Sequence, residues 1–380
     1  MSQTAIRPVP KLPPEGLTES RAILKALASA HRYLAELKGV ASSIPNQSIL
    51  IDTLTLQEAK DSSAIENIIT THDEIYQAQL FEEMFENAAA KEVSNYAKAL
   101  RRGFERVRKQ KVLTLSHILE IQKILEGNDA GLRKVPGTKL INQSTNEVVY
   151  TPPQDHATIV ELMENLVRYI NHDIEHDVDA LVKMAVIHLQ FETIHPFYDG
   201  NGRTGRIINI LYLILSDLIS LPVLYLSRFI IRNKAEYYRL LQSVRDTGEW
   251  EEWLLYMIRA VEETSRETIA LVEAIRRMML EVKHEIRDRF PKIYSQDLIN
   301  NLFRHPYTKI EFVMDDLGVS RLTATKYLDI LTKGGLLKKK KIWRTSYYIN
   351  AGLFALLQNS GKAAAGSPTI VTSNPEHGKG

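Results

Sequence analysis

Residues 188 to 215 read HLQFETIHPFYDGNGRTGRIINILYLIL, a short polar loop between two segments that are apolar almost all the way round. Before the loop, Ala180, Leu181, Val182, Met184, Ala185, Val186, Ile187, Leu189 and Phe191 leave no wide polar face, so residues 179 to 191 predict a buried helix. After it, Ile207, Ile208, Ile210, Leu211, Tyr212, Leu213, Ile214 and Leu215 predict another. A core built on these helices delivers the loop between them, with Gly200, Asn201, Gly202 and Arg203 opening the second. Unpaired N–H groups at a helix start, two glycines that permit close backbone approach, and the guanidinium groups of Arg203 and Arg206 make an anion site suited to a phosphate chain. His195, beyond Pro196 and Phe197, places an imidazole that can accept a proton at neutral pH. Asp199 offers a hard oxygen ligand for Mg2+. Base, metal ligand, anion cradle and arginines within twelve residues predict transfer of a phosphate-linked group to a hydroxyl.

His195-Pro-Phe-Tyr-Asp199-Gly-Asn201-Gly-Arg203-Thr-Gly-Arg206 resembles the H-x-F-x-[DE]-G-N-G-R-x-x-R signature of the Fic family at every specified position. The resemblance implies a mainly all-α fold that moves AMP from ATP, with Mg2+, onto a hydroxyl side chain of a protein. By that resemblance His195 is the base and Asp199 the metal ligand. The backbone of Gly200 to Gly202, with Asn201, takes the α-phosphate region, and Arg203 and Arg206 the remaining phosphates. The implied nucleotide-binding set is Glu66, Gly200, Asn201, Gly202, Arg203, Thr204, Gly205, Arg206 and Asn233.

Two other motifs carry less. Gly200-x-Gly202-x-x-Gly205 fits a dinucleotide fingerprint, but a helical pattern precedes it and no acid lies about 20 residues beyond. His172-Asp-Ile-Glu175-His176 has a zinc-hydrolase spacing, yet lies between two helical patterns and reads as a solvated connection.

The 380 residues, 44% hydrophobic and 25% charged, describe an ordinary globular chain with room for two or three domains. With no cysteine, disulfides and thiolate metal sites are excluded, which suits a reducing, cytoplasmic setting. The first sixteen residues hold four of the fourteen prolines and no apolar signal segment, so residues 1–17 predict an extended arm. The stretch from Ile207 to Leu226 is interrupted by Asn209, Ser216, Asp217, Ser220 and Pro222, and predicts a core helix with its exit turn rather than a membrane span.

Residues 18–110 predict an N-terminal helical region. Ile23, Leu24, Leu27, Leu34 and Leu37 recur at helical spacing up to Gly39, and a second helix is expected from about Gln47 to Ala59. Asp61-Ser62-Ser63-Ala-Ile-Glu66-Asn67 has two readings. One is a capping box, with Ser63 as N-cap and Glu66 at N3. The other is resemblance to the inhibitory [ST]-x-x-x-E-[GN] segment of Fic proteins, carried by Ser62, Glu66 and Asn67; its position N-terminal to a full signature favours it.

Residues 111–260 form the expected catalytic core, preceded by a helix at 89 to 109 and containing one at 114 to 125. Helical patterning then stops. Residues 131–153 are rich in Gly, Pro, Thr and Val, with a polar turn cluster at 142 to 146, and predict a β-hairpin. The family resemblance makes Lys139 to Tyr150 a flap that aligns the target beside the base, where backbone pairing tolerates varied target sequence. Further on, the segment from Ser227 to Tyr238 resembles the part of the family that closes the nucleotide pocket, and Asn233 is the contact expected there. Tyr237, Leu240, Leu241 and Val244 share helical spacing and fit a core equally well.

From Trp250 to about Arg289 one long helical run leads out of the core, residues 261–290 serving as a connecting helix. Residues 291–357 predict three helices and a hairpin, with Gly318-Val-Ser320 as a helix-turn-helix turn and Lys338 to Lys341 on the wing. Between 291 and 349, 11 Lys and Arg face 5 Asp and Glu, so this segment carries 11 − 5 = +6 and the rest of the +2 chain carries −4. That asymmetry favours an acidic partner; a winged helix resembles DNA readers, but such domains also dock proteins or dimerise. Residues 358–380 predict a disordered tail.

The sequence thus predicts a Fic-type helical core with a hairpin flap and a C-terminal winged helix, acting as a protein adenylyltransferase restrained by Glu66. Its expected partners are a target protein, the chain itself as target, DNA, and a second copy in a homodimer, with no membrane. Two rivals stay open: a nucleotide-sensing transcription regulator, disfavoured by the intact His195, and removal of AMP at the same site with Glu66 orienting water.

Overall fold

The computed structural model describes residues 9–80, 87–141, 145–172, 178–342 and 345–359. Helix α1 (Arg21–Ser42) starts where the Ser20 hydroxyl accepts from the Ile23 amide, and buries Ile23, Leu27, Leu34 and Leu37, the residues at helical spacing. Helix α2 (Ser48–Ile65) runs six residues past the expected end and is buried on nearly every side. Ser62 and Ser63 therefore lie inside a helix and Glu66 is its C-cap, so the capping box at Ser63 does not form. The Ser63 side chain is sealed in the core and cannot start a helix that is already under way. Helix α3 (His72–Leu80), α4 (Ala88–Gln110) and α5 (Leu115–Glu126) follow, the last opened by a capping box between Thr114 and His117.

Strands β1 (Leu140–Ile141) and β2 (Val148–Tyr150) pair antiparallel, Leu140 opposite Tyr150, so the expected hairpin is present but short. Its expected turn cluster falls in part on residues 142–144, outside the described residues, as do residues 173–176 of the H-x-x-E-H stretch and the tail from 360. Helix α6 (His156–Asn171) then leads to the central pair, α7 (Ala180–Ile194) and α8 (Asn201–Leu215). Every residue of α7 from Leu181 to Ile194 is buried, as its lack of a polar face requires. Helices α4, α5 and α7 pack around α8, while α2 lies against α4 and the short α9 (Leu226–Arg232).

After α10 (Lys234–Thr247), helix α11 (Glu251–Arg289) runs 39 residues without a break. It packs on α1 and α7, and the expected core boundary at residue 260 falls inside this one helix. The segment expected to be a winged helix comprises α12 (Gln296–Arg304), β3 (Tyr307–Lys309), α13 (Ile310–Leu317), α14 (Arg321–Lys333), β4 (Lys338–Ile342) and β5 (Thr345–Ile349), with sheet order β3-β5-β4, all antiparallel. Helix α15 (Ala351–Asn359) returns to α11.

This domain is pinned to the N-terminal helices. Arg304 Nε donates to Asp52 on α2 at 2.6 Å, Arg101 on α4 donates to the same carboxylate, and Tyr76 on α3 stacks on Tyr307 at 5.3 Å. Among the described residues no helix is long and apolar enough to cross a membrane.

Candidate active site

The loop between α7 and α8 takes its shape from left-handed residues at both ends. His195 closes α7 at φ 48°, ψ 59°, and Gly200 precedes α8 at φ 76°. The Asn201 side chain bridges the loop, accepting from the Phe197 amide and donating to the Phe197 carbonyl, both at 2.8 Å. Its amide is thereby committed to holding the turn, leaving the backbone to meet an anion. The first bond of α8 runs from Thr204 N to Gly200 O, so the N–H groups of Asn201, Gly202 and Arg203 have no acceptor within the helix.

Burial, with help from Arg245 and Arg133, lowers the pKa of His195 to about 4, so its ring is neutral at neutral pH. Its Nδ1 is enclosed without a hydrogen-bond partner. Arg133, just before the flap, holds the segment around it. Arg133 Nε donates to the His195 carbonyl at 2.8 Å, its Nη2 donates to the Pro153 and Ile194 carbonyls, and its backbone amide donates to the Pro196 carbonyl. On the other side Arg245 of α10 donates to the Glu192 carbonyl and the Thr193 hydroxyl, and lies 4.2 Å from the Tyr150 ring of the flap. The Tyr150 hydroxyl donates to the Thr193 carbonyl at 3.0 Å, so His195 and the hairpin share their supports.

Glu66 reaches the start of α8 from the end of α2. Its Oε1 accepts from Arg206 Nη2 at 2.8 Å through a single contact, not the two-pronged pair a carboxylate can make, because Ser62 takes the Nε donor at 2.8 Å. A Cβ on Gly202 would lie 2.3 Å from that same oxygen; only glycine lets the carboxylate come so close to the loop. Burial opposes ionisation of Glu66, but Arg206, Arg203 and Lys234 outweigh it and hold the carboxyl below its ordinary value. Asn67, in the left-handed region at φ 64°, accepts from Lys234.

Arg203 points elsewhere: it is buried between Glu92 of α4 at 2.8 Å and Glu126 of α5 at 2.9 Å. Thr204 Oγ1 is buried without a partner, and Gly205 packs so closely that a Cβ would meet Glu192 Oε1 at 2.9 Å. Burial raises the Glu192 carboxyl to about 7 despite Arg206 nearby. Beneath it, His188 pairs with Tyr237 at 2.8 Å and with Asn209 at 3.0 Å, so Tyr237 is core, while Tyr238 beside it is exposed. Asn233 stands exposed at the junction of α9 and α10, its Nδ2 donating to the Phe229 carbonyl.

Asp199 is exposed at the loop, with Oδ1 accepting from the Gly200 amide at 2.7 Å. Among the described residues no cluster of three His, Cys, Asp or Glu could hold a metal. A lone carboxylate beside an anion loop still fits Mg2+, which keeps most of its waters and binds through one carboxylate and substrate phosphates.

Residues 24–105 match the family model described as Fic/DOC family N-terminal, and residues 112–213 the Fic/DOC family model itself. Residues 278–353 match the C-terminal domain of SoFic-like protein adenylyltransferases. The chain belongs to the Fic/DOC family. A probable protein adenylyltransferase of Aquifex aeolicus (strain VF5) is 29% identical over 97 residues, 26% of this chain and 27% of that protein. Protein adenylyltransferase fic-1 of Caenorhabditis elegans is 28% identical over 109 residues, 28% of this chain and 20% of that protein. The chain therefore spans about a quarter of the length of these curated relatives. A Fic family protein from Desulfovibrio desulfuricans G20 shares the fold with a TM-score of 0.56 at 21% identity, over 88% of this chain and 97% of that one. A Fic-domain-containing signaling protein from Bacteroides thetaiotaomicron VPI-5482 aligns with a TM-score of 0.52 at 17% identity, over 64% and 95% of the two chains.

Within this Fic fold, Ser62, Glu66, Gly202 and Arg206 come together from opposite ends of the sequence reading, with His195 near enough to feel the Glu66 charge. Arg133, Arg245, Glu92 and Glu126 were missed, and Tyr150 was named only as the end of the hairpin. None belongs to a motif with a mechanism attached; only the unbroken apolar wall of α7 signals that the loop it carries needs buried supports.

Proposed function

We propose that this Fic protein is an adenylyltransferase that moves AMP from ATP to the hydroxyl of a protein side chain, and that Glu66 restrains it. The observation that carries the reading is the seat of Glu66: its carboxylate already rests as an anion against Gly202 and Arg206, where a nucleotide phosphate would bind. A site that accepts one anion among helix N–H groups and a buried guanidinium is built for anions.

The chain's own groups divide the work. With Nδ1 enclosed, Nε2 of the neutral His195 takes the hydroxyl proton as that oxygen bonds to the α-phosphorus of ATP. The bond from that phosphorus to the bridging oxygen breaks, and pyrophosphate leaves. The N–H groups of Asn201, Gly202 and Arg203 face the charge that builds on the α-phosphate. Arg206 meets the terminal phosphates once Glu66 withdraws, whereas Arg203, fixed by Glu92 and Glu126, sets the position of α8. Mg2+, held by Asp199 and the phosphates, would neutralise charge on the leaving group. Ordering of a target strand along β1 or β2 would place its hydroxyl beside His195.

Mass spectrometry of the purified protein after incubation with ATP and Mg2+, alone and with a cell lysate, tests the reaction class. A mass increase equal to AMP, on the chain or on a lysate protein, supports transfer. Release of AMP from a previously modified protein without any incorporation would instead support the reverse reaction.

A further inference from the structure

The winged helix carries a cationic surface for which AMP transfer has no use. Helix α14 buries Ala324, Leu328 and Leu331 against its own domain. Its outer side leaves Arg321, Leu322, Lys326 and Lys333 exposed. Leu322 is 82% exposed and stands beside these cations on the outer side of the helix.

Strand β4 adds Lys338, Lys339, Lys340 and Lys341, all exposed. Lys339 sits opposite Tyr348 and its Nζ reaches Asp329 of α14 at 2.9 Å, which ties the wing to the helix and neutralises the acid on that helix. Arg321 likewise neutralises Glu311 at 2.7 Å. Among the described residues, the side chains of Lys326, Lys333, Lys338, Lys340 and Lys341 make no hydrogen bond or ion pair with the protein.

Lysines on a free sheet edge also prevent strand-to-strand aggregation, and β4 is the edge of its sheet. That purpose accounts for β4 alone. It does not extend to Lys326 and Lys333, which lie with Leu322 on α14. A helix of 13 residues, about 20 Å long, has the length and width to enter a DNA major groove, with a hairpin beside it to meet the backbone.

We propose that α14 and β4 form a surface for duplex DNA, α14 lying in the major groove. Leu322 and Thr325 face base edges, where an apolar side chain meets the thymine methyl. Lys326, Lys333, Lys338, Lys340 and Lys341 face phosphates. The proposal does not depend on AMP transfer, and either can fail without the other.

The test is fluorescence anisotropy of the full chain with a labelled random-sequence duplex of about 25 base pairs, from 50 to 200 mM salt. Five phosphate contacts release enough counterions for affinity to fall about 10²- to 10³-fold over that range. The triple variant Lys338→Glu, Lys340→Glu, Lys341→Glu should lose at least tenfold in affinity and flatten the salt slope. Leu322→Glu, which a role in edge protection would not touch, should also weaken binding. Thermal melting of each variant confirms an intact fold. No binding of the duplex at 50 mM salt overturns the proposal. Binding that heparin displaces, yet neither variant changes, places the anion contact elsewhere and overturns it as well. Retention of an acidic protein with no duplex binding assigns the surface to a protein partner instead.

Discussion

Arg206 Nη2 donates to Glu66 Oε1 at 2.8 Å across 140 residues of sequence. Arg206 is 1% exposed and Glu66 35%, so the arginine is the fixed partner and the glutamate the one that can leave. Leaving does not strand the guanidinium, because the Ser62 hydroxyl and carbonyl also accept from it. In the proposed restraint this carboxylate competes with a phosphate for the same donor, and a bias of about 1.4 kcal/mol changes occupancy tenfold.

Arg133 should act through the loop it holds. Arg133→Lys keeps a charge but loses the fork that spans the His195 and Pro153 carbonyls. Small displacements of a reacting group cost up to about 10²-fold in rate. The variant should lower kcat for AMP transfer at least tenfold while KM for ATP changes little, with melting measured alongside. An unchanged kcat at intact fold would show that Arg133 does not position the base.

The acid limb of the rate profile should lie far below neutrality. Burial lowers the pKa of His195 to about 4, so the free base is fully present above about pH 5 and is lost only as pH falls through about 4. Initial rates in kcat/KM should be flat between pH 6 and 8 on the acid side. A decline centred near 6.5 would mean that His195 titrates as an ordinary exposed histidine.

Glu58 gives a stability test with a defined sign. Burial raises its carboxyl from 4.5 to about 7, against the pull of Ser227. The folded state therefore keeps a proton that the unfolded chain releases, and this contribution is full below about 4.5 and lost as pH rises to about 7. Urea unfolding of wild type and Glu58→Gln at pH 5 and pH 8 should show that the variant loses less stability on going to pH 8. Equal losses in both proteins would mean that Glu58 is not held protonated.

How much of this was legible in the sequence follows from range. The loop from His195 to Arg206 reads directly, because its glycines, polar residues and flanking apolar helices lie within one short stretch. The reach of Glu66 to Arg206 was available only through family resemblance, since local spacing around Ser63 fits a capping box just as well. That box fails because α2 is buried and continues through Ser62 and Ser63, a tertiary effect that overrides a local signal. Arg203 shows the opposite limit: motif reading gives it to phosphate, while Glu92 and Glu126, 111 and 77 residues away, take it in the fold.

Incorporation of labelled AMP by Glu66→Gly, measured beside wild type and the double variant Glu66→Gly, His195→Ala, tests the central claim most directly. Glu66→Gly should lose about 1–3 kcal/mol of stability with its contact to a buried charge, yet incorporate more AMP than wild type. The double variant should still bind ATP by calorimetry and show incorporation reduced about 10²- to 10⁴-fold, as loss of a general base predicts. Incorporation by Glu66→Gly equal to or below wild type, in a sample whose melting confirms an intact fold, would contradict restraint by Glu66.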